Sequence, residues 1–182
     1  KYLLNTNKFG YSLELNSTYK ITFTLGNNTL LGKTATSSST LALNKWTHVC
    51  ATLESGQIKI YINGKLDNTT AWTGGVTDSG TELTLGQRPG LTTNQFFGFL
   101  DEVRIWNTAR TDAQIKANLM KELAGNETGL VAYYKMSNGS GTTLSDNQSA
   151  GGNSGTISSA NWKASGCFSG PRQALTFDGT SD

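Results

Sequence analysis

Carboxylates and a single histidine are the side chains of this sequence that could do acid–base chemistry. Asp101 and Glu102 are adjacent acids in the segment 98–107. Neighbouring side chains on a strand point to opposite faces, so this pair cannot flank one glycosidic bond as acid and nucleophile. His48 is the only histidine, and no Gly-x-Ser-x-Gly motif is present. These observations predict that the protein is not an enzyme and that His48 is structural.

Aromatic rings close to amides are the second group, and their chemistry is sugar binding. Trp72 lies in a Gly- and Thr-rich stretch, where exposure is expected. Asn94 and Gln95 directly precede two phenylalanines. A sugar site needs an exposed flat ring with amides or carboxylates nearby. We therefore predict Trp72, Asn94 and Gln95 as ligand-binding residues, with core packing as the alternative for Trp72.

Composition restricts the class of protein. The 182 residues include 21 Gly, 2 Pro and only 15% charged residues, which favours short strands joined by tight turns. The 15 Lys and Arg residues are scattered and the formal net charge is +2. Nucleic-acid binding needs a clustered basic face, so no nucleic-acid partner is predicted. No apolar run approaches the ~18 residues of a membrane-spanning helix, so no membrane span is predicted.

Alternating apolar and polar residues indicate a series of half-buried strands. They fall at residues 11–15, 19–25, 47–53, 57–62, 82–85, 96–106, 129–136 and 173–182, with a shorter strand at 155–157. Asn63-Gly64 is the strongest hairpin signal, because a type I′ turn requires positive φ at both central residues.

One helix interrupts the strands. Thr111 and Gln114 have the spacing of a capping box. Apolar residues then recur at helical spacing, so a helix is predicted over residues 111–124; they are Ile115, Leu119, Met120 and Leu123. The fold class predicted from these elements is an all-β protein with one short helix.

Three segments, in this order, resemble the laminin-G-like module of the concanavalin A-like lectin and glucanase jelly rolls. They are residues 45–53, 56–65 and 98–115. The resemblance implies an antiparallel jelly-roll β-sandwich. It also implies a binding or structural module of an extracellular protein.

The resemblance also implies a structural calcium ion. In that family the positions of Asp101 and Asp178 lie close in space and often hold calcium, with a backbone carbonyl near Gly179. Carboxylate and carbonyl oxygens are the ligands that calcium prefers. Asp101, Asp178 and Gly179 are therefore predicted metal residues. The alternative is that both carboxylates cap turns by accepting backbone N–H bonds.

The ends of the chain are out of order relative to that family, because residues 173–182 resemble its first strand. This predicts a jelly-roll body at 1–136 without its opening strands, a Gly/Ser/Asn-rich loop region at 137–172, and a first strand at 173–182. That strand belongs either to the same, permuted module or to the next module of a tandem array. In the second case it adds to a neighbouring copy, which makes adjacent copies or modules predicted partners.

Residues 121–135 resemble repeat-bearing surface proteins of gliding and marine bacteria. The implied function is a non-catalytic module of a large secreted or cell-surface bacterial protein. It would be extracellular and act in adhesion by binding a glycan or a cell-surface protein. Two alternatives stay open: a carbohydrate-binding module appended to a polysaccharide-degrading enzyme, and a structural spacer repeat in a surface filament.

Overall fold

The computed structural model of the chain describes residues 10–27, 30–77, 80, 82–87, 95–167 and 172–178. The chain divides into two compact units. The first unit comprises Lys1–Leu91 and Thr111–Leu119, and the second comprises Thr92–Arg110 and Met120–Asp182. Every strand pairing among the described residues is antiparallel. The predicted all-β antiparallel character is confirmed.

Where it is described, the first unit contains two three-stranded sheets. One has the order β1 (Gly10–Leu15), β2 (Ile21–Asn27), β3 (Leu30–Thr36), and the other β4 (Val49–Glu54), β5 (Gln57–Ile62), β6 (Lys65–Ala71). Phe23 and Leu25 of β2 are buried in one core with Ile58 and Ile60 of β5. Because alternate residues of a strand share a face, this common core shows that the two sheets pack face to face.

The hairpin between β5 and β6 follows the sequence prediction. Asn63 and Gly64 have φ values of 49° and 72°, as a type I′ turn requires. The Asn63 side chain also accepts a hydrogen bond from the backbone N–H of His48 at 3.0 Å. The turn is therefore set by its own residues and tied to the start of β4.

The helix is shorter than predicted. It spans α1 (Asp112–Asn118), with both hydrogen bonds of the capping box between Thr111 and Gln114 present. The predicted continuation to residue 124 is wrong. After Asn118 the backbone N–H of Leu119 donates to the Lys116 carbonyl, three residues earlier, at 3.4 Å, which is the tighter bonding typical of a helix end.

The described residues of the second unit form seven strands. They are β7 (Phe97–Leu100), β8 (Val103–Trp106), β9 (Leu130–Tyr134), β10 (Thr143–Leu144), β11 (Gly155–Thr156), β12 (Ala160–Ser165) and β13 (Arg172–Asp178). They form a three-stranded sheet β12-β13-β7 and the pairs β8-β9 and β10-β11.

The single strand predicted at 96–106 is two strands in different sheets. Glu102 lies between β7 and β8 with φ of 55°, a left-handed conformation that breaks the extended chain. Consequently β7 pairs with β13 while β8 pairs with β9. The residues before and after Glu102 thus serve different sheets.

The strand predicted at 82–85 is absent, since residues 82–87 form a loop. The Thr84 hydroxyl donates to the Gln87 carbonyl at 2.8 Å, a local bond typical of a turn. Local side-chain bonding there replaces a strand partner.

Strand β13 lies in the middle of its sheet. It pairs with β12 along one edge and with β7 along the other. The segment that resembles a first strand is therefore paired within this chain, and the compact units divide the chain at positions other than 136 and 172. Among the described residues, no helix has the length and apolar character needed to cross a membrane.

Candidate functional site

One face of the sheet β12-β13-β7 exposes aromatic and polar side chains together. Phe97 is 78% exposed and Phe99 is 49% exposed. The register pairs Phe97 with Asp178, and Phe99 with Thr176. Directly opposed residues of antiparallel strands share a face, so these side chains lie on one surface.

Strand β12 extends this surface. Asn161 pairs with Thr176, and Lys163 stands two residues further on, so both side chains lie on the same face. Both residues are exposed. The resulting surface, called the outer face below, consists of Phe97, Phe99, Asn161, Lys163, Thr176 and Asp178.

The opposite face of the sheet is the packed one. Leu175 is buried there, with Leu100 as its partner on β7. Phe177 packs edge-on against Phe96 with ring centroids 6.1 Å apart. Leu100 and Phe177 on this inner face are half-buried, whereas Phe97 and Phe99 on the outer face are exposed.

Gly98 lies between the phenylalanines of this segment and affects where their rings lie. A Cβ atom at Gly98 would lie 3.0 Å from the Phe96 ring, closer than ordinary van der Waals contact. Glycine therefore allows the Phe96 ring to lie against the strand. The two flanking rings, Phe97 and Phe99, remain on the outer face.

Residues of this sheet line an open groove of about 490 Å³. Ligand pockets in proteins range over roughly 300–1,000 Å³ and combine apolar walls with a few polar groups. The groove has the size of such a site. Its lining combines the phenylalanines of β7 with the amide of Asn161 and the carboxylate of Asp178.

Asp101 and Asp178, the predicted calcium ligands, are not brought together. Asp178 pairs with Phe97 at one end of β7, whereas Asp101 follows the other end. Four residues of strand span about 13 Å, while two ligands of one calcium ion lie within about 5 Å of each other. The described register does not fit an ion shared by these two carboxylates.

Asp101 has other partners. It accepts hydrogen bonds from the Ser165 hydroxyl at 2.5 Å and from the Glu102 backbone N–H at 2.9 Å. The described part of the chain contains no cluster of three acidic, His or Cys residues suited to a metal. Gly179 lies outside the described residues, and calcium binding stays a prediction.

Trp72, the predicted sugar platform, is in the core of the first unit. It is 9% exposed, and its indole N–H donates to the Gly75 carbonyl at 2.8 Å. The backbone of Gly74 lies against its ring, where a Cβ would be 2.5 Å away. The predicted exposure is wrong, because both the face and the polar edge of the indole are already used.

The structure places only one of the two amide residues predicted to bind ligand, Asn94 and Gln95. Asn94 lies outside the described residues. Gln95 is half-buried in the second unit, and its amide nitrogen is buried without a hydrogen-bond partner among the described residues. Their role in ligand binding stays a prediction.

Glu102, the neighbour of Asp101, is buried in a separate network. Its side chain is 8% exposed and accepts hydrogen bonds from Arg104 and from the Tyr133 hydroxyl, both at 2.6 Å. Burial, together with the Glu102 hydrogen bond, raises the pKa of Tyr133 well above its ordinary value. Asp101 and Glu102 thus bond to different neighbours, and Glu102 ties β8 to β9.

The outer face was missed in the sequence because its residues come from three separate segments. Alternation in Phe97-Gly98-Phe99-Leu100 is visible in the sequence, as is that of Asn161 and Lys163 around Trp162. Only the pairing of β12 and β7 with β13 brings them to one surface.

Comparisons with known proteins bear on the fold. A family model, Laminin_G_3, described as the Concanavalin A-like lectin/glucanases superfamily, matches residues 2–116. A search of curated proteins found no significant match.

Two solved structures are similar. One is a candidate carbohydrate binding protein from Bacteroides ovatus, with 24% identity and a TM-score of 0.58. The similarity covers 79% of this chain and 48% of that chain, so this chain spans about half of its relative. The other is an S-layer domain-containing protein from Clostridium thermocellum, with 19% identity over 65% of this chain and 67% of that chain and a TM-score of 0.38, too low to support an argument.

Proposed function

The chain belongs to the Concanavalin A-like lectin/glucanases superfamily, and from this premise we propose that it is a non-catalytic glycan-binding module. The outer face is the proposed binding surface. The observation that carries the proposal is the exposure of Phe97 and Phe99 side by side on a face that also presents an amide, a hydroxyl and two charged groups.

Sugar rings require this combination. A pyranose has an apolar C–H face, which packs on an aromatic ring, and hydroxyl groups, which need hydrogen-bond donors and acceptors. Asn161 offers both kinds of group, Thr176 offers a hydroxyl, and Asp178 accepts. Specific polar contacts beside an apolar surface are the usual composition of a small-ligand site.

The number of carboxylates on the outer face supports the proposal that the module is non-catalytic. Glycoside hydrolysis uses two carboxyl groups about 5–9.5 Å apart across the scissile bond. Among the described residues the outer face offers one, Asp178, while Glu102 is buried with Arg104 and Tyr133. One carboxylate suits binding better than hydrolysis.

The biological setting is a wider proposal. We place the module in a large secreted or cell-surface bacterial protein, where it acts in adhesion. A similar fold in a candidate carbohydrate binding protein of Bacteroides ovatus supports a bacterial glycan-binding setting. Attachment to a polysaccharide-degrading enzyme stays the alternative, and sequencing the full gene distinguishes the two by its neighbouring domains.

A glycan array followed by calorimetric titration of the best ligand tests the function. We expect Phe97→Ala to weaken binding about tenfold or more, a loss of ~1.4 kcal/mol or more. The control is Leu43→Ala, which removes an exposed apolar side chain from the first unit. Failure of the intact protein to bind any glycan, or equal binding by Phe97→Ala, contradicts the proposal.

A further inference from the structure

We infer that the outer face binds a neutral, extended polysaccharide chain that runs along β7 and covers at least two consecutive sugar units. This inference rests on the proposed glycan binding. It adds the class of glycan and the direction in which the chain lies.

The two aromatic rings form a repeated platform. Phe97 and Phe99 are two positions apart on one strand, so their Cα atoms are separated by about 6.6 Å on the same face. Both rings are exposed. Two rings spaced along one line suit a ligand with repeated rings better than a single sugar.

Each ring has a polar residue directly opposite on β13. Phe97 is paired with Asp178 and Phe99 with Thr176. Adjacent strands are about 4.8 Å apart, so a sugar stacked on either ring has a polar group beside it on the β13 side. A phenylalanine with a polar neighbour therefore occurs twice along the strand, as expected of a site for a ligand with repeated sugar rings.

The width of the face also gives a sugar chain that lies along β7 polar partners on the two neighbouring strands. The row of Asn161, Thr176 and Phe99 crosses three strands, about 10 Å in all. Phe97 at the end of β7 is 78% exposed, so the platform is open there. A sugar chain longer than the two-ring platform therefore has room to continue beyond Phe97.

Charge on the face favours a neutral ligand. Lys163 contributes one positive charge and Asp178 one negative charge, so the six residues carry no net charge. An acidic polysaccharide would gain from a cluster of cations, and Asp178 beside Phe97 opposes a carboxylate or sulfate there. Uncharged sugars need no cluster of cations and are not repelled by the Asp178 carboxylate.

A length series tests the inference. Calorimetric titrations would compare glucose, cellobiose, cellotetraose and cellohexaose, with the corresponding xylose and mannose series, against oligogalacturonides as acidic chains. We expect no measurable binding of monosaccharides, an affinity that rises with length and then levels off, and weaker binding of the acidic series. Single substitutions Phe97→Ala and Phe99→Ala should each weaken tetrasaccharide binding by about tenfold or more.

The outcomes separate the two proposals. Monosaccharide binding as tight as that of the tetrasaccharide, or tighter binding of the acidic series, overturns this inference but leaves glycan binding intact. No binding by any of these saccharides overturns this inference, and only a negative glycan array extends that failure to the proposed function. Leu43→Ala is the control, and circular dichroism of each variant verifies that the fold is retained.

Discussion

At the scale of single residues, Glu102 connects the elements around β8. Its carboxylate is shared by Arg104 and the Tyr133 hydroxyl. Arg104 in turn donates to the Lys121 carbonyl, and the Tyr133 hydroxyl accepts from the Leu123 backbone N–H at 3.1 Å. One buried carboxylate therefore holds β8, β9 and the segment at 121–123 in place.

Removal of Glu102 should be costly. In Glu102→Ala the Arg104 guanidinium would lose its carboxylate partner and the Tyr133 hydroxyl would lose its acceptor, so we expect a loss of ~3–5 kcal/mol in unfolding free energy by urea denaturation. The matched control is Glu122→Ala, which breaks the more exposed Lys135–Glu122 ion pair at 3.3 Å and should cost less than ~1 kcal/mol. Equal effects of the two substitutions would contradict this assignment.

Asp146 organises the loop after β9 through its carboxylate. It accepts backbone N–H bonds from Tyr133 at 2.9 Å, from Gln148 at 3.0 Å and from Asn153 at 3.3 Å. Desolvation alone would raise the pKa of Asp146, but these hydrogen bonds outweigh it and hold the pKa below the ordinary value of 3.8. The ionised carboxylate of Asp146 therefore stabilises the conformation of this loop.

The lowered pKa of Asp146 makes the stabilisation that its carboxylate provides sensitive to acid. Its contribution to stability is present above the ordinary pKa of 3.8. It is lost as pH falls through the lower pKa of the folded state, because protonation is then easier in the unfolded chain. We expect Asp146→Asn to lose ~1–2 kcal/mol at pH 7 and less at pH 3 in urea titrations. Exposed Glu82→Gln is the control, and a loss that is independent of pH would contradict this role.

At the scale of elements, β13 decides how the second unit is built. It is the central strand of its sheet, and its two faces differ in chemistry. Leu175 is buried on the inner face, while Thr176 belongs to the outer face. The same strand thus contributes to the core and to the proposed binding surface.

Substitutions on the two faces of β13 should separate these contributions. Leu175→Ala should lower the unfolding free energy by ~2–5 kcal/mol, because it leaves a cavity in the core. Thr176→Val keeps the branched shape and should change stability by less than ~1 kcal/mol, while it weakens glycan binding. A stable Leu175→Ala variant would show that β13 is not required by this unit.

Element boundaries show where sequence reasoning succeeded. The Asn63-Gly64 hairpin and the Thr111 capping box were predicted, since both depend on interactions within a few residues. The break at Glu102 was not predicted. A left-handed conformation at a non-glycine residue depends here on the pairing of the strands before and after it with two different sheets. The strand at β12 was also missed.

At the scale of the whole molecule, calcium is the predicted ligand that acts on overall stability. Asp101 and Asp178 are each a candidate calcium ligand, but not of one shared ion, since the register places them at opposite ends of β7. A ligand at ~100 times its Kd adds about 2.7 kcal/mol to the folded state. Addition of calcium after chelation is expected to raise the melting temperature, and only one of the substitutions Asp101→Ala and Asp178→Ala is expected to abolish that rise, because the register does not let one ion bind both carboxylates. Identical melting curves with calcium and with chelator would exclude the site.

The antiparallel all-β class and the tight turns could be predicted from the amino-acid sequence. These follow from alternation along each strand and from turn residues, which act over a few positions of the chain. Tertiary structure alone decided which aromatic residues are exposed. Trp72 became core because the glycines after it fold back against its ring, and Phe97 and Phe99 became surface because β13 pairs β7 with β12. Burial depends on contacts between segments far apart in the chain, so local composition predicted exposure at Trp72 and did not predict it at Phe97 and Phe99.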